Sequence, residues 1–224
     1  MPNVERFEEG GIFFRDRADA AERLAQALSR WRGAHPLIAA IPRGAVPMGR
    51  LIADRLGGDL DVVLTRKLPA PGQPEFAVGA VDESGWSYVA DYARAAGADE
   101  TYLRSCIDEQ LATIRRRRAA YTPDRAPLDP AGRIVIVVDD GLATGATMIA
   151  ALHALRARGP ARLVCAVPVA SPEAATLVRR DADEFVALAT PSSFHAVGQF
   201  YARFPQVDDS EVVACLRAAP APAA

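Results

Sequence analysis

The chain is 224 residues long, 50% of them hydrophobic and 24% charged, with a formal net charge of −2. This length suits one well-buried α/β domain over residues 1–224, and the near-neutral charge gives no electrostatic basis for a nucleic-acid partner. No apolar run approaches the roughly 18 residues of a membrane span, and the N-terminus lacks a signal-peptide pattern. We therefore expect no membrane partner and a cytoplasmic location.

Apolar periodicity predicts alternating helices and strands in the first part of the chain. Residues 18–31 have helical spacing, with Asp16 or Asp19 available as the cap. Residues 37–41 form a short apolar run that is typical of a buried strand, and a second helix is predicted after it. Residues 61–65 predict another buried strand.

Two segments next to these strands combine cations with turn residues. In the turn Pro42–Arg43–Gly44, the glycine lets the backbone approach a ligand closely and the arginine could pair with a phosphate. Arg66 and Lys67 follow the strand at 61–65 and favour a polyphosphate bridged by a divalent metal. For both segments the alternative is a solvent-facing charge without a ligand.

The middle of the chain predicts a hairpin and a long helix. Residues 76–90 contain two apolar segments separated by turn residues at 82–85. Residues 99–121 predict a long polar helix with apolar side chains at helical spacing. Its run Arg115–Arg118 predicts a solvated face, because four consecutive residues point to all sides of a helix.

The stretch Ile134–Thr147, with the sequence IVIVVDDGLATGAT, carries the strongest chemical signal. Its five β-branched residues predict a strand covered on both faces, and Asp139 and Asp140 stand at its carboxyl end, where open α/β sheets bind ligands. Small residues and threonines then lead into a helix, a pattern that favours phosphate binding. No lysine stands in the loop as a nucleotide triphosphate loop requires, and the GxGxxG and GxSxG patterns are absent from the chain.

The remaining segments predict two further strands and a tail. Residues 162–168 and 184–189 are typical of buried strands, with a helix at 172–179 between them. Together these elements predict an α/β fold of three layers, with a five-stranded, mainly parallel sheet between helices. The three cysteines and three histidines lack metal-ligand spacing, so no disulfide or zinc site is predicted, and His195 is expected to pack among aromatic residues.

The segment VVDDGLATGAT resembles the 5-phosphoribosyl-1-pyrophosphate (PRPP) motif of the type I phosphoribosyltransferase family. The resemblance implies that Asp139 and Asp140 bind the ribose hydroxyls and that the following loop binds the 5-phosphate. The loop residues implied are Gly141, Ala143, Thr144, Gly145, Ala146 and Thr147. It also implies the five-stranded core predicted above.

The same resemblance implies how the rest of the donor is held. The pyrophosphate would be held by the turn Pro42–Arg43–Gly44 together with Arg66 and Lys67. Mg²⁺ would be bound by PRPP itself, near Asp139 or Asp140. The implied catalytic residues are Asp139, Asp140, Arg66 and Lys67. Leu68–Pro74 would be a mobile loop that closes over the reactants, and the Arg115–Arg118 run could alternatively contact pyrophosphate across a subunit interface.

By comparison with the family, the core covers about 10–68 and 130–190, and about 69–129 is an insertion. A small hood would come from 76–125 and from the tail at 190–224. The acceptor would lie near Glu75, Phe194 and Tyr201, where the aromatic rings could stack on a planar acceptor or instead attach the tail to the core. Glu75 could orient the acceptor or act as a base, or be an exposed loop acid.

The implied activity is transfer of 5-phosphoribosyl from PRPP to a small-molecule acceptor, in nucleotide and nucleoside metabolism, with a homodimer as a possible assembly. Ala143 stands where the 6-oxopurine enzymes of the family carry an acid, so the resemblance does not imply a 6-oxopurine acceptor for this chain. The chain most resembles a bacterial group of provisionally named phosphoribosyltransferases with an undefined acceptor. The alternatives are a PRPP-binding regulator without catalysis and a hydrolase of PRPP or ribose phosphate.

Overall fold

The computed structural model describes residues 13–218, and the predicted alternation of helices and strands is present there. The elements are α1 (Arg17–Ala27), β1 (Leu37–Ala40), α2 (Ala45–Leu56), β2 (Asp59–Val62), β3 (Thr65–Ala70), β4 (Gln73–Asp82), β5 (Ser87–Val89), α3 (Glu100–Tyr121), β6 (Ile134–Val138), α4 (Ala146–Arg156), β7 (Arg162–Val169), α5 (Pro172–Val178), β8 (Glu184–Ala189) and α6 (Asp209–Arg217). Short 3₁₀ helices cover Ser29–Trp31 and Val197–Phe200.

The predicted five-stranded sheet is confirmed, and every pair of neighbouring strands in it is parallel. The strand order is β2-β1-β6-β7-β8, so β1 and β6 lie side by side although they are far apart in the chain. Ala40 at the end of β1 is level with Val138 at the end of β6. The turn after β1 and the acid pair after β6 therefore emerge next to each other at the carboxyl edge of the sheet.

Alternation along the strands creates a core on each face of this sheet. In β6, Ile136 and Val138 face the core formed with α1 and α2, whereas Val135 and Val137 face the core formed with α4 and α5. All four side chains are fully buried. Because both faces are covered, the strand has no polar alternation, and the predicted three-layer arrangement is confirmed.

The residues between β2 and β6 form a second, antiparallel sheet in the order β3-β4-β5 and the helix α3. The predicted turn at 82–85 joins β4 to β5, with Val81 paired to Ser87. The predicted long helix begins after Asp99, whose side chain accepts a hydrogen bond from the Tyr102 backbone. Both predictions are confirmed.

Two predictions in this region are wrong. The second core strand, β2, spans Asp59–Val62 rather than 61–65, and Arg66 and Lys67 do not follow its end but lie in β3. An unbroken buried run through Leu64 conceals the boundary between the two sheets. The segment Leu68–Pro74 is also not a loop, because it contains the end of β3, a tight turn and the start of β4. Pro69 is tolerated because β3 is an edge strand whose register shifts on both sides of this residue.

The tail contains a helix, α6, that was not predicted from the sequence. It packs against α2 and α3 through its buried Val212. Asp208 caps α6 by accepting a hydrogen bond from the Glu211 backbone. An aspartate followed three residues later by a glutamate is a sequence pattern that could have predicted the start of this helix. None of the helices within residues 13–218 is long and apolar enough to cross a membrane.

Candidate functional site

A cavity of about 620 Å³ opens at the carboxyl edge of the parallel sheet. This volume is in the range of small-molecule sites. The cavity brings together most of the residues that the sequence singled out: Pro42, Arg43, Gly44, Arg66, Lys67, Glu75, Asp139, Asp140, Gly141, Ala143, Thr144, Gly145 and Thr147. Ala146 is not among its lining residues, because this first residue of α4 is buried against Ala80 of β4.

The acid pair is held in two different ways. Oδ1 of Asp139 accepts a hydrogen bond from the Asp140 backbone at 2.8 Å, while Oδ2 of Asp140 accepts one from Nε of Arg17 at 2.9 Å. Burial, and then the neighbouring Asp140 carboxylate, raise the pKa of Asp139 well above its usual range. Burial also raises the pKa of Asp140, against the opposing effect of the Arg17 guanidinium. Such a pair favours a ligand that brings hydroxyl donors or positive charge.

The loop after the acid pair lines the cavity with small residues and two threonines. Gly145, with φ of +79°, directly precedes α4, an 11-residue helix whose N-terminus faces this loop. The side chains of Thr144 and Thr147 contribute to the cavity wall. The Ser171 hydroxyl donates to the Ala143 carbonyl at 2.8 Å, which fixes the loop against α5. Small residues, threonine side chains and a helix N-terminus are together the features of anion sites found at helix N-termini.

The turn after β1 approaches the acid pair so closely that it needs a glycine. A β-carbon added to Gly44 would lie 2.1 Å from Oδ2 of Asp140 and 3.0 Å from Nη2 of Arg17. The Pro42–Arg43 peptide bond is cis. Nη1 of Arg43 lies 3.7 Å from Asp209 of α6, so the tail also reaches this turn.

The wall opposite the core sheet comes from β3, β4 and α3, and it carries further cations. Nε of Arg66 donates to the Gln110 side chain at 2.9 Å, and burial, followed by the nearby Arg117, lowers the Arg66 pKa. Lys67 is exposed and its charge reaches both aspartates of the acid pair. Oγ1 of Thr65 is buried and has no hydrogen-bond partner in the described part of the chain.

The four arginines of the predicted solvated face have different surroundings. Arg115 and Arg116 are exposed, as predicted. Arg117 lines the cavity in the same chain. For Arg118 the prediction is wrong: its guanidinium pairs with Glu83 and Asp61 and donates to the Val62 carbonyl at 3.0 Å. It faces the junction of the two sheets, where these carboxylates compensate its charge.

The proposed acceptor residues are divided between the cavity and the tail. Glu75 is an exposed residue of the cavity wall. The Tyr201 ring is buried against Phe14, with ring centroids 5.3 Å apart, and its hydroxyl donates to the Asp140 carbonyl at 2.6 Å. Phe194 packs against Phe200 at 5.1 Å, and neither Phe194 nor Tyr201 lines the cavity. These rings attach the tail to the core, whereas His195, expected to pack, is exposed.

Several residues of the site were not selected from the sequence. Arg17 belongs to α1 and contacts the acid pair, and Gln110 and Thr65 belong to the wall opposite the sheet. Val197 covers the start of the phosphate loop so closely that a β-carbon on Gly141 would lie 2.6 Å from its Cγ1. Of these residues, only Arg17 had a sequence feature that could have selected it, because a cation in the first turn of a helix opposes the helix dipole.

The parallel sheet, the buried acid pair and the helix-terminal loop define a doubly wound α/β domain with a polar cavity at its carboxyl edge. The family model described as "Phosphoribosyl transferase domain" matches residues 11–204, and the chain belongs to this family. The resemblance stated from the sequence is thereby confirmed.

Individual relatives agree with this assignment. Two curated proteins of Mycobacterium tuberculosis, from strains CDC 1551 and H37Rv, carry a provisional phosphoribosyl transferase name and are each 41% identical over 204 residues. The match covers 91% of this chain and 46% of either relative, so the chain spans about half the length of the curated relatives it matches. The solved structure of TT1426 from Thermus thermophilus is similar, with a TM-score of 0.76 and 46% identity, covering 91% of this chain and 97% of that one.

Proposed function

We propose that this chain binds PRPP in the cavity and transfers its 5-phosphoribosyl group to a small-molecule acceptor with release of pyrophosphate. The protein would thus be a glycosyltransferase of the pentosyltransferase type. The observation that carries this proposal is the convergence of the acid pair, the phosphate loop and cationic side chains on one cavity in a chain of this family.

The acid pair and the loop would hold the ribose 5-phosphate part of the donor. Within residues 13–218, Oδ1 of Asp140 accepts no hydrogen bond from another residue, so it is available to a sugar hydroxyl. The loop Ala143–Thr147 would receive the 5-phosphate through its backbone N–H groups and the hydroxyls of Thr144 and Thr147. Both carboxylates would also favour positive charge that develops on the sugar during transfer.

The turn Pro42–Arg43–Gly44 and the cations of β3, Arg66 and Lys67, would hold the leaving pyrophosphate. Lys67 is suited to this role because it lines the same cavity as the acid pair and carries a positive charge. Arg43 and Arg66 would bind the more distant phosphate oxygens. The pyrophosphate side of the cavity is therefore cationic and the sugar side is anionic.

The residues present also fit Mg²⁺. This ion is usually held by one or two carboxylates together with phosphate oxygens of the substrate, and the buried acid pair with raised pKa values supplies such carboxylates. No group of three or more His, Cys, Asp or Glu side chains within residues 13–218 could hold a metal ion by itself. Asp139 or Asp140 would therefore hold the ion jointly with PRPP, and when bound it neutralises charge on the pyrophosphate.

The side chains of the cavity favour direct displacement at the anomeric carbon. No cysteine, serine or histidine of the described residues is among those that line it. The chain would act by orienting donor and acceptor and by stabilising charge, through an oxocarbenium-like state.

The acceptor is not identified, and a nucleobase is the first candidate. Glu75 is the proposed base because it is the one carboxylate besides the acid pair among the described lining residues. Ala143 provides no acid that could meet a purine ring nitrogen.

The test is to incubate the protein with PRPP, Mg²⁺ and a panel of nucleobases and amines, and to measure pyrophosphate release. Release that requires one acceptor supports the transferase, and release without an acceptor indicates a hydrolase. PRPP binding without turnover indicates a regulator. Absence of PRPP binding by calorimetry overturns the proposal.

A pair of variants makes this test specific to the site. Asp140→Asn should weaken PRPP binding and lower turnover together, while Asp108→Asn removes an exposed carboxylate of α3 and should change neither. Equal behaviour of the two variants would show that the acid pair is not the donor site.

A further inference from the structure

Arg17 contacts the acid pair from behind the cavity. Its Nε and Nη2 atoms lie 2.9 and 2.8 Å from the same oxygen of Asp140, Oδ2. Nη1 donates to the Pro205 carbonyl, and the guanidinium carbon lies 3.7 Å from the centre of the Phe204 ring. Every nitrogen of the guanidinium thus has a partner, and its side chain is only 13% exposed.

The contact uses only one oxygen of the carboxylate. Arg17 is absent from the lining of the cavity, whereas Asp140 is part of it. Since Nε and Nη2 both bind Oδ2, the carboxylate cannot rotate freely, and Oδ1 retains its capacity to accept a hydrogen bond.

Attachment of the tail does not explain why an arginine stands at position 17. The tail is already joined to the segment before α1 by backbone hydrogen bonds from Phe14 to the Phe200 carbonyl and from Ala202 to the Phe14 carbonyl, at 2.9 and 2.8 Å. Arg203 adds an ion pair with Asp16. Arg17 is also the first residue of α1, where the helix dipole disfavours a cation, so its position is costly unless the carboxylate needs it.

We propose that Arg17 is a positioning residue that holds the Asp140 carboxylate so that Oδ1 receives a hydroxyl of the bound ribose. The inference rests on the proposed function, because it assigns Asp140 to the sugar of PRPP. It is supported by the contact itself, since two nitrogens of Arg17 lie within 2.9 Å of Oδ2 and leave Oδ1 without a contact to them. Without the guanidinium, two buried carboxylates would lie side by side with less compensation.

A double-mutant cycle on PRPP affinity tests the inference. Calorimetric titration with PRPP and Mg²⁺ is carried out on the wild type, Arg17→Gln, Asp140→Asn and the double variant. Loss of a charge-assisted hydrogen bond predicts about tenfold weaker binding for Arg17→Gln. If Arg17 acts through Asp140, the double variant should bind no more weakly than Asp140→Asn alone.

Two further variants separate positioning from folding. Arg203→Gln removes the ion pair between the tail and Asp16, the N-cap of α1, and should leave PRPP affinity unchanged. Arg17→Lys keeps the charge but loses the two-nitrogen contact, and it should bind PRPP with intermediate affinity. Should Arg17→Gln fail to fold, Arg17→Lys carries the test, and wild-type affinity in that variant contradicts the proposal.

The remaining outcomes are distinct. If the wild type binds PRPP and Arg17→Gln binds it equally well or more tightly, the inference is overturned while the proposed function stands. Additive losses in the double variant also overturn it. If the wild type does not bind PRPP, the proposed function fails, and this inference fails with it.

Discussion

Gly44 and Asp140 are in direct contact across the centre of the site: a β-carbon on the glycine would lie 2.1 Å from the carboxylate oxygen Oδ2. The two residues follow adjacent parallel strands, and the same oxygen also receives the Arg17 guanidinium. The turn after β1 and the acid pair after β6 therefore form one packed unit, in which no side chain fits at position 44.

Gly44→Ala should displace the Asp140 carboxylate and weaken PRPP binding by about tenfold or more, since charge-assisted hydrogen bonds are sensitive to geometry. Calorimetric titration measures the effect. Gly132→Ala is the matched control: Gly132 has φ of +68° and open space around it, so alanine there should reduce stability by about 1 kcal/mol without changing affinity. Wild-type affinity in Gly44→Ala would contradict the packed arrangement.

Arg117→Gln should weaken binding of Mg²⁺-pyrophosphate and leave binding of ribose 5-phosphate nearly unchanged. Arg117 lines the cavity and its charge acts on Arg66, to which the proposed function assigns the pyrophosphate. Titration with each of the two ligands gives the comparison. Arg116→Gln, which removes an exposed charge from the same helix, should change neither affinity. Equal effects of the two variants would indicate a general electrostatic influence.

Asp61→Ala should lower the free energy of unfolding by about 3 kcal/mol or more, because it leaves two arginines without their buried carboxylate. Asp61 contacts Arg118 and Arg125 and accepts a hydrogen bond from the Leu128 backbone at 2.7 Å. Urea unfolding provides the measurement. The control is Glu100→Gln, which removes a solvent-exposed pair with Arg104 and should cost less than about 0.5 kcal/mol.

Tyr121→Phe should reduce the loss of stability at alkaline pH. Burial, and then the hydrogen bond to Asp209, raise the Tyr121 pKa from 10 to about 12. Because the pKa is higher in the folded state, this stabilisation is complete below pH 10 and is lost as the pH rises through about 12. Urea unfolding at about pH 9 and about pH 11.5 should show a larger decrease for the wild type than for Tyr121→Phe. Equal decreases would remove Tyr121 from the alkaline transition.

The sequence was most informative where a pattern had one physical solution. The β-branched run before Asp139 fits a strand buried on both faces, and the structure has that strand at Ile134–Val138 with both faces covered. The boundary between β2 and β3 was missed because Val63 and Leu64 are as buried as the strands they connect, so hydrophobicity does not change there.

Contacts between distant segments were the least accessible from the sequence. Arg118 is an ordinary exposed helix cation by local pattern, and the unfavourable position of Arg17 in the first turn of α1 does not name its partner, yet each meets a carboxylate from a remote element. Local periodicity does not distinguish Arg118 from Arg115 or Arg116, since the difference depends on where other segments pack. Tyr201 illustrates the same limit, because its ring and hydroxyl face the core only after the tail pairs beside Phe14.

The cavity is shared between two separate sheets, and this division has an evolutionary consequence. The acid pair, the phosphate loop and the turn at Gly44 belong to the parallel sheet, whereas Glu75 belongs to the antiparallel sheet inserted between β2 and β6. Under the proposed function, substitutions in the insertion could change the accepted molecule while leaving recognition of the sugar phosphate intact. A diverging lineage could thus acquire a new substrate without rebuilding its most constrained residues.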